Sequence, residues 1–248
     1  MSASDPGVRE YLLAFADDEH LMGQQHTEWI GVAPFLEEDL AFASIGQDEL
    51  GHAAALYALL VGDDDRAIDD LALRRPAVEY RSCHLVELDT GDWAQALVRH
   101  WLYDAAEDLR WGLLTDSAVE GLPEVAARAL REEAFHRRHA DALLDALLSV
   151  PESAGRLDAA LRRFLPMALG IFEPVEGEAV ALEAGVVSGS VVGLLPVWQE
   201  LAEARFGPVD WDSTTPPVQG GRRRRSADFD ARYARMREVY DLDPAAVW

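Results

Sequence analysis

The chain is 248 residues long, carries a formal net charge of −23 at pH 7 and is 49% hydrophobic. That apolar content supports a sizeable core, in one large domain or two small ones, and excludes a chain that stays disordered. So acidic a protein repels phosphate backbones, which excludes general nucleic-acid binding, and its one cysteine, Cys83, leaves no internal disulfide and no CxxC thiol or zinc site.

All 22 basic residues are arginine, and the chain has neither Lys nor Asn. GC-rich coding produces both absences, and an acidic, lysine-free surface also suits a halophilic host. No apolar run reaches the roughly 18 residues of a membrane span. The first residues, MSASDPGVREY, show no basic-then-apolar leader. The expectation is a cytoplasmic chain with no membrane contact.

In chain order, apolar residues recur at three- and four-residue spacing and predict long helices. The first runs from Gly7 to Val32, with Asp5 as N-cap and Pro6 in its first turn. Pro34 separates it from a second, Phe35 to Val61, which Gly62-Asp63-Asp64-Asp65 ends. Residues 63–91 are polar and broken, reading as a short helix and a crossover. A third helix, Trp93 to Ser117, follows Asp92 as its cap. A fourth runs from Pro123 to Ser149, where Pro151 stops it, and a fifth from Ala154 to Gly170. Residues 171–193, rich in Gly and Val, read as irregular, and Leu194 to Phe206 as another helix. Gly207 to Gly221 reads as a linker. The tail from Arg222 has Phe229, Tyr233, Met236 and Tyr240 at helical spacing. The expected fold class is all-α: a bundle over residues 1–170, with residues 171–248 as a helical extension packed on the same domain.

Two of these helices share one signature. The second contains Gln47-Asp48-Glu49-Leu50-Gly51-His52 and the fourth Glu132-Glu133-Ala134-Phe135-His136. In each Glu-x-x-His, the i and i+3 side chains leave one face of the helix. A carboxylate oxygen and a neutral imidazole together suit iron or manganese. Both pairs interrupt an apolar stripe: Glu49 and His52 between Ile45 and Leu56, Glu133 and His136 between Ala129 and Ala140. A buried carboxylate costs several kcal/mol or more unless compensated, and a metal ion compensates it.

A dimetal site in a four-helix bundle needs one more carboxylate from each of the other two helices. The first helix offers Asp17, Asp18, Glu19 and Glu28. Glu28 is preferred, because it lies in line with Leu21 and Gln24. The third offers Asp104, Glu107 and Asp108, with Asp104 on the stripe of Leu97 and Trp101 and Glu107 as its i+3 alternative. Asp48 and Glu132 each precede a ligand Glu and can orient a histidine on a neighbouring helix. His20, His26, His84 and His100 read as surface or satisfied core histidines and His139 as solvated. Gly51 suggests close packing against a neighbour. Arg222 to Arg225 read as a solvated turn, or as contacts to an acidic partner or coenzyme phosphates.

These motifs resemble the metal-binding motifs of the A-type chain of phenylacetyl-CoA epoxidase, a ferritin-like bacterial multicomponent monooxygenase, and His26-Thr27-Glu28-Trp29-Ile30-Gly31 resembles its first-ligand region. The layout is more similar to the C-type chain of the same complex. Tyr11 to Asp18, Glu28 to Pro34, Gly220-Gly221-Arg222-Arg223 and the Trp-terminated tail carry that likeness over nearly the whole chain. The resemblance implies a ferritin-like four-helix bundle and an Asp, Asp104, from the third helix. It implies two iron ions, or manganese in their place, held by Glu28, Glu49, His52, Asp104, Glu133 and His136, with Asp48 and Glu132 behind them. The implied activity is O2-dependent epoxidation of the aromatic ring of an aryl-CoA ester, with Phe135 and Trp101 lining the ring pocket. The implied partners are homologous A- and B-type subunits, in a homo- or hetero-oligomer, and a flavin and iron–sulfur reductase. C-type chains act as structural partners that have lost metal ligands. Here the candidate ligands are present, which sets a catalytic role against a structural one. A ferritin-like metal or peroxide oxidase is the third reading.

Overall fold

The computed structural model describes residues 5–216 and 220–243. Among them every regular element is helical, and the core is a ferritin-like four-helix bundle. Its members are α1 (Pro6–Thr27), α2 (Leu36–Val61), α5 (Trp93–Gly112) and α6 (Leu122–Leu148). The crossover between α2 and α5 holds α3 (Asp65–Leu73) and α4 (His84–Glu87). Beyond the bundle come α7 (Pro151–Ala168), α8 (Glu178–Glu183), α9 (Val191–Phe206), α10 (Phe229–Met236) and α11 (Glu238–Leu242).

Side-chain pairs fix the helix directions. Tyr57 meets Asp17, His52 meets Glu19 and Glu49 meets His26, so numbers on α2 fall as those on α1 rise. The same antiparallel rule joins α1 to α5, through Glu19–Tyr103 and Gln25–Arg99, and α5 to α6, through Trp101–Asp141 and Asp108–Arg137. It follows that α2 and α5 run parallel, and a parallel pair needs the chain to travel back along the bundle before the third helix begins. That is what residues 62–92 do, in the single long crossover of a ferritin-like bundle.

Local signals set the helix ends. The Asp5 carboxylate accepts from the N–H groups of Gly7 and Val8, and Asp92 accepts from Gln95 N–H. The first helix stops at Thr27 instead of Val32, and a turn with Gly31 at φ +82° leads into α2. The third ends at Gly112, short of Ser117. Pro151 opens α7 instead of only stopping α6, in keeping with its preset φ at a first helical position. The Gly- and Val-rich segment read as irregular contains α8, entered through Gly177 at φ +82°. A Cβ on Gly177 would lie 2.0 Å from the Gly7 carbonyl oxygen, so this turn closes against α1 only with glycine.

The α1–α2 contact is just as close. A Cβ on Gly23 would lie 2.9 Å from the Gly46 carbonyl oxygen, and one on Gly46 3.0 Å from that of Gly23. Gly51, expected to be a packing glycine, has only the tip of Arg128 nearby at 3.7 Å. The close approach belongs to Gly23 and Gly46, nearer the hairpin.

The aromatic stripe of the tail packs as its spacing predicts. Phe229 is buried against Tyr80 at 5.3 Å between ring centroids, and Tyr233 stacks on Phe229 at 5.9 Å. The terminal Trp248 lies outside the described residues. No described helix is long and apolar enough to cross a membrane.

Candidate metal centre

The middle of α1 is enclosed on all sides. Asp17, Asp18 and Glu19 are consecutive, so they point in three directions about 100° apart, yet all three are 0% exposed. Asp17 accepts from Tyr57 Oη at 2.7 Å and pairs with Arg75 in the crossover. Asp18 takes Arg110 of α5 at 2.9 Å, Arg222 at 2.8 Å and the Cys83 N–H at 2.7 Å. Those partners hold the Asp18 carboxyl below its usual range, although burial alone would raise it. Arg222, the first of the four arginines, therefore plugs the core, and Arg225 pairs with buried Glu87. Arg223 and Arg224 are exposed, as a solvated turn predicts.

Glu19 points to the bundle axis. There it meets His52 and Glu133 of the two Glu-x-x-His helices. All of Glu19, Glu49, His52, Asp104, Glu133 and His136 are buried, none more than 1% exposed. Donor atoms of Glu19, His52 and Glu133 lie within 4.8 Å of one another, as do those of Asp104, Glu133 and His136. The two groups share Glu133. Glu49 sits beside them, its Oε2 2.6 Å from His26 Nδ1.

The histidines face the cluster through Nδ1. His52 Nδ1 is 2.9 Å from Glu19 and 3.8 Å from Glu133, while its Nε2 is 2.7 Å from Glu132. His136 Nδ1 is 3.5 Å from Glu133, and its Nε2 is 3.3 Å from Asp48. Asp48 and Glu132 thus reach across the α2–α6 interface to each other's histidine. In the neutral ring each carboxylate takes the N–H of the outer nitrogen, so that Nδ1 is the lone pair left facing inward for a metal ion.

The electrostatics are those of an uncompensated acidic cluster. Burial raises the Glu19 carboxyl to about 8 and that of Glu133 to about 7. Burial, then the charges of Asp104, Glu19 and Glu133, raise Glu49 well above the carboxylate range. Burial pulls His136 down, but Glu133 and Asp48 outweigh it and hold the ring well above its ordinary value. Nearby arginines are already engaged: Arg75 by Asp17, Arg222 by Asp18, Arg110 by Asp18 and Glu107. Glu49 Oε1, Asp104 Oδ1, Glu133 Oε2 and His136 Nδ1 are buried without a hydrogen-bond partner. Unpartnered buried carboxylate oxygens are rare and costly. Oxygens and imidazole nitrogens converging from four helices are the donor set of a two-metal carboxylate site, so the residues fit iron or manganese.

Within the expected ligand set, one position changes. Glu28 does not join the cluster: it follows the last residue of α1 and pairs with Arg235 at 3.0 Å and with Arg232. Nine residues from Glu19, it lies about 13 Å further along the helix, and Glu19 holds the helix-one position instead. On α5 it is Asp104 that enters a donor group, while Glu107 is bound to Arg110 at 2.7 Å and to Glu19. Phe135 is 45% exposed, and Trp101 turns toward Phe206 and donates to Asp141 at 2.8 Å. Neither lines the cluster.

The reading of the histidines missed a second group. His26 and His100 are 0% exposed and their rings meet edge to face at 4.9 Å. His100 Nδ1 is 2.9 Å from Asp104. His139, expected to be solvated, is half-buried against Glu38 at 2.9 Å. Burial, and then the neighbouring His100 and Arg99, push His26 well below its ordinary value, so it is neutral.

Fold and site together define a ferritin-like helical bundle in which two Glu-x-x-His helices face each other across a buried acidic core. Residues 2–248 match the family described as phenylacetic acid catabolic protein, and the chain belongs to that family. It is also 29% identical over 180 residues to the C-type chain of 1,2-phenylacetyl-CoA epoxidase from Escherichia coli (strain K12), a match that covers 71% of this chain and 72% of that protein.

Proposed function

We propose that the chain is part of a phenylacetyl-CoA epoxidase-type multicomponent monooxygenase and holds its own pair of iron ions. The observation that carries this reading is the convergence of Glu19, Glu49, His52, Asp104, Glu133 and His136 with carboxylate oxygens unpartnered. Those six residues would hold the metals, and four carboxylates formally balance two divalent ions. Bound iron supplies the activation of O2 from which one oxygen atom enters the aromatic ring of an aryl-CoA ester. The chain's own residues prepare the place. Glu132 and Asp48 fix the tautomers of His52 and His136. Tyr103 Oη, 3.3 Å from Glu19 Oε1, donates to that carboxylate. The enclosing helices keep bulk water from the cluster, as oxygen chemistry requires. Electrons come from a separate flavin and iron–sulfur reductase, and homologous A- and B-type subunits complete the assembly.

A second reading, a supporting role beside a separate catalytic chain, is favoured by the identity to a C-type relative. Turnover separates the two. The chain is co-expressed with its neighbouring genes, and O2-dependent conversion of phenylacetyl-CoA is followed. Glu133→Ala abolishes conversion in an intact complex if this chain carries the metals. Conversion at the unsubstituted rate supports the second reading.

A further inference from the structure

The residues of the cluster differ in what stands behind them. Glu19 and His52 are backed by Tyr103 and Glu132. Behind Glu49 and Asp104 stand two buried imidazoles, His26 and His100. His26 is the better defined of the pair. Its ring is wedged edge to face against Phe42 at 4.8 Å and His100 at 4.9 Å. Its Cβ lies beside Gly46, where an added methyl would come within 3.1 Å of it. The ring therefore has little freedom to turn. When Glu49 binds a divalent ion it does so as a carboxylate, which only accepts hydrogen bonds, so in that state the proton of the 2.6 Å contact between His26 Nδ1 and Glu49 Oε2 sits on the imidazole. That bond occupies one oxygen of Glu49 and leaves Oε1 buried and unpartnered.

We propose that His26 is a positioning residue for the dimetal site: its N–H holds Glu49 Oε2 so that Oε1 alone is presented to a divalent ion. This rests on the dimetal reading above. It adds that Glu49 offers one oxygen because of His26, and that the metal position Glu49 serves depends on a hydrogen bond outside the ligand set. Partners that orient ligands in this way are worth about 10- to 100-fold in metal affinity.

The test is cobalt(II) titration of the metal-free full-length chain, followed by visible absorption and equilibrium dialysis. The wild-type chain binds two ions. His26→Leu, which fills the space but donates nothing, weakens the second ion by about tenfold or more, with unchanged melting of the metal-free protein. His26→Asn, whose side-chain N–H falls near the place of Nδ1, restores affinity to within a few-fold. In a Glu49→Gln background, His26→Leu has no further effect, as expected for a residue acting through Glu49. Wild-type affinity for both ions in His26→Leu overturns the proposal, and so does an Asn variant as weak as the Leu variant. A wild-type chain that binds no cobalt overturns the dimetal reading itself and this inference with it.

Discussion

Raising the pH should unfold the metal-free protein progressively, and the cause is the acidic cluster. Glu133 ionises at about 7 and Glu19 at about 8 in the fold, against 4.5 for each when free of it. The folded chain therefore binds their protons more tightly than the unfolded chain does. A carboxyl raised in this way supports folding fully below pH 4.5, and its support is lost as pH climbs through the folded values. A shift of one unit is 1.36 kcal/mol, so Glu133 alone accounts for about 3 kcal/mol and Glu19 for a comparable amount. Much of a typical domain's stability of about 5–15 kcal/mol is then lost between the unfolded value of 4.5 and the folded values of about 7 and 8. Urea unfolding followed by circular dichroism, with chelator present, measures this directly. The chain's overall repulsion also grows with pH, so the comparison is with a Glu19→Gln, Glu133→Gln double variant in the same salt. The double variant should lose stability with a much shallower slope, and added manganese or anaerobic iron(II) should remove the decline in the wild type by binding the ionised carboxylates. Equal slopes for wild type and double variant would refute the reasoning, because the cluster would then contribute nothing to the pH dependence.

Other expectations follow from the same geometry. Arg222→Ala leaves Asp18 with Arg110 as its remaining arginine; breaking one arm of a buried pair should cost about 3 kcal/mol, read as a drop of roughly 10 °C in melting temperature by calorimetry. Asp48→Asn and Glu132→Gln should each reduce metal affinity about tenfold while leaving the metal-free melting point near wild type, since both carboxylates are partly exposed. Gly46→Ala forces a methyl within 3.0 Å of the Gly23 carbonyl oxygen; this should destabilise the chain by about 1–3 kcal/mol in urea unfolding, whereas Gly51→Ala should stabilise it by up to about 1 kcal/mol.

The architecture was legible because periodicity and breakers speak clearly in long helices: Pro34, Gly62 and Pro123 mark the bundle helices close to where they part in the fold. The two Glu-x-x-His pairs were legible because they interrupt apolar stripes, and those stripes are the buried faces of α2 and α6. Glu19 was not, because a stripe argument assumes one wet face. Asp17-Asp18-Glu19-His20 looks like such a face, yet the crossover and the Arg222 segment enclose α1 all round, and arginines meet the acids. In the fold Glu19 faces His52 and His26 faces Glu49, while Glu28 falls at the turn itself, a register that the position of the turn in the sequence does not give. His26 and His100 were hidden for a related reason: a buried histidine is ordinary, and what distinguishes these two is the carboxylate each one faces, which only the three-dimensional packing reveals.

Iron content tests the central claim most directly. The purified chain is loaded with iron(II) under anaerobic conditions, desalted and analysed for metal. The account predicts about two iron ions per chain, falling to less than half in Glu133→Ala, whose carboxylate is common to both donor groups. A wild-type chain that retains no more iron than Glu133→Ala would contradict it.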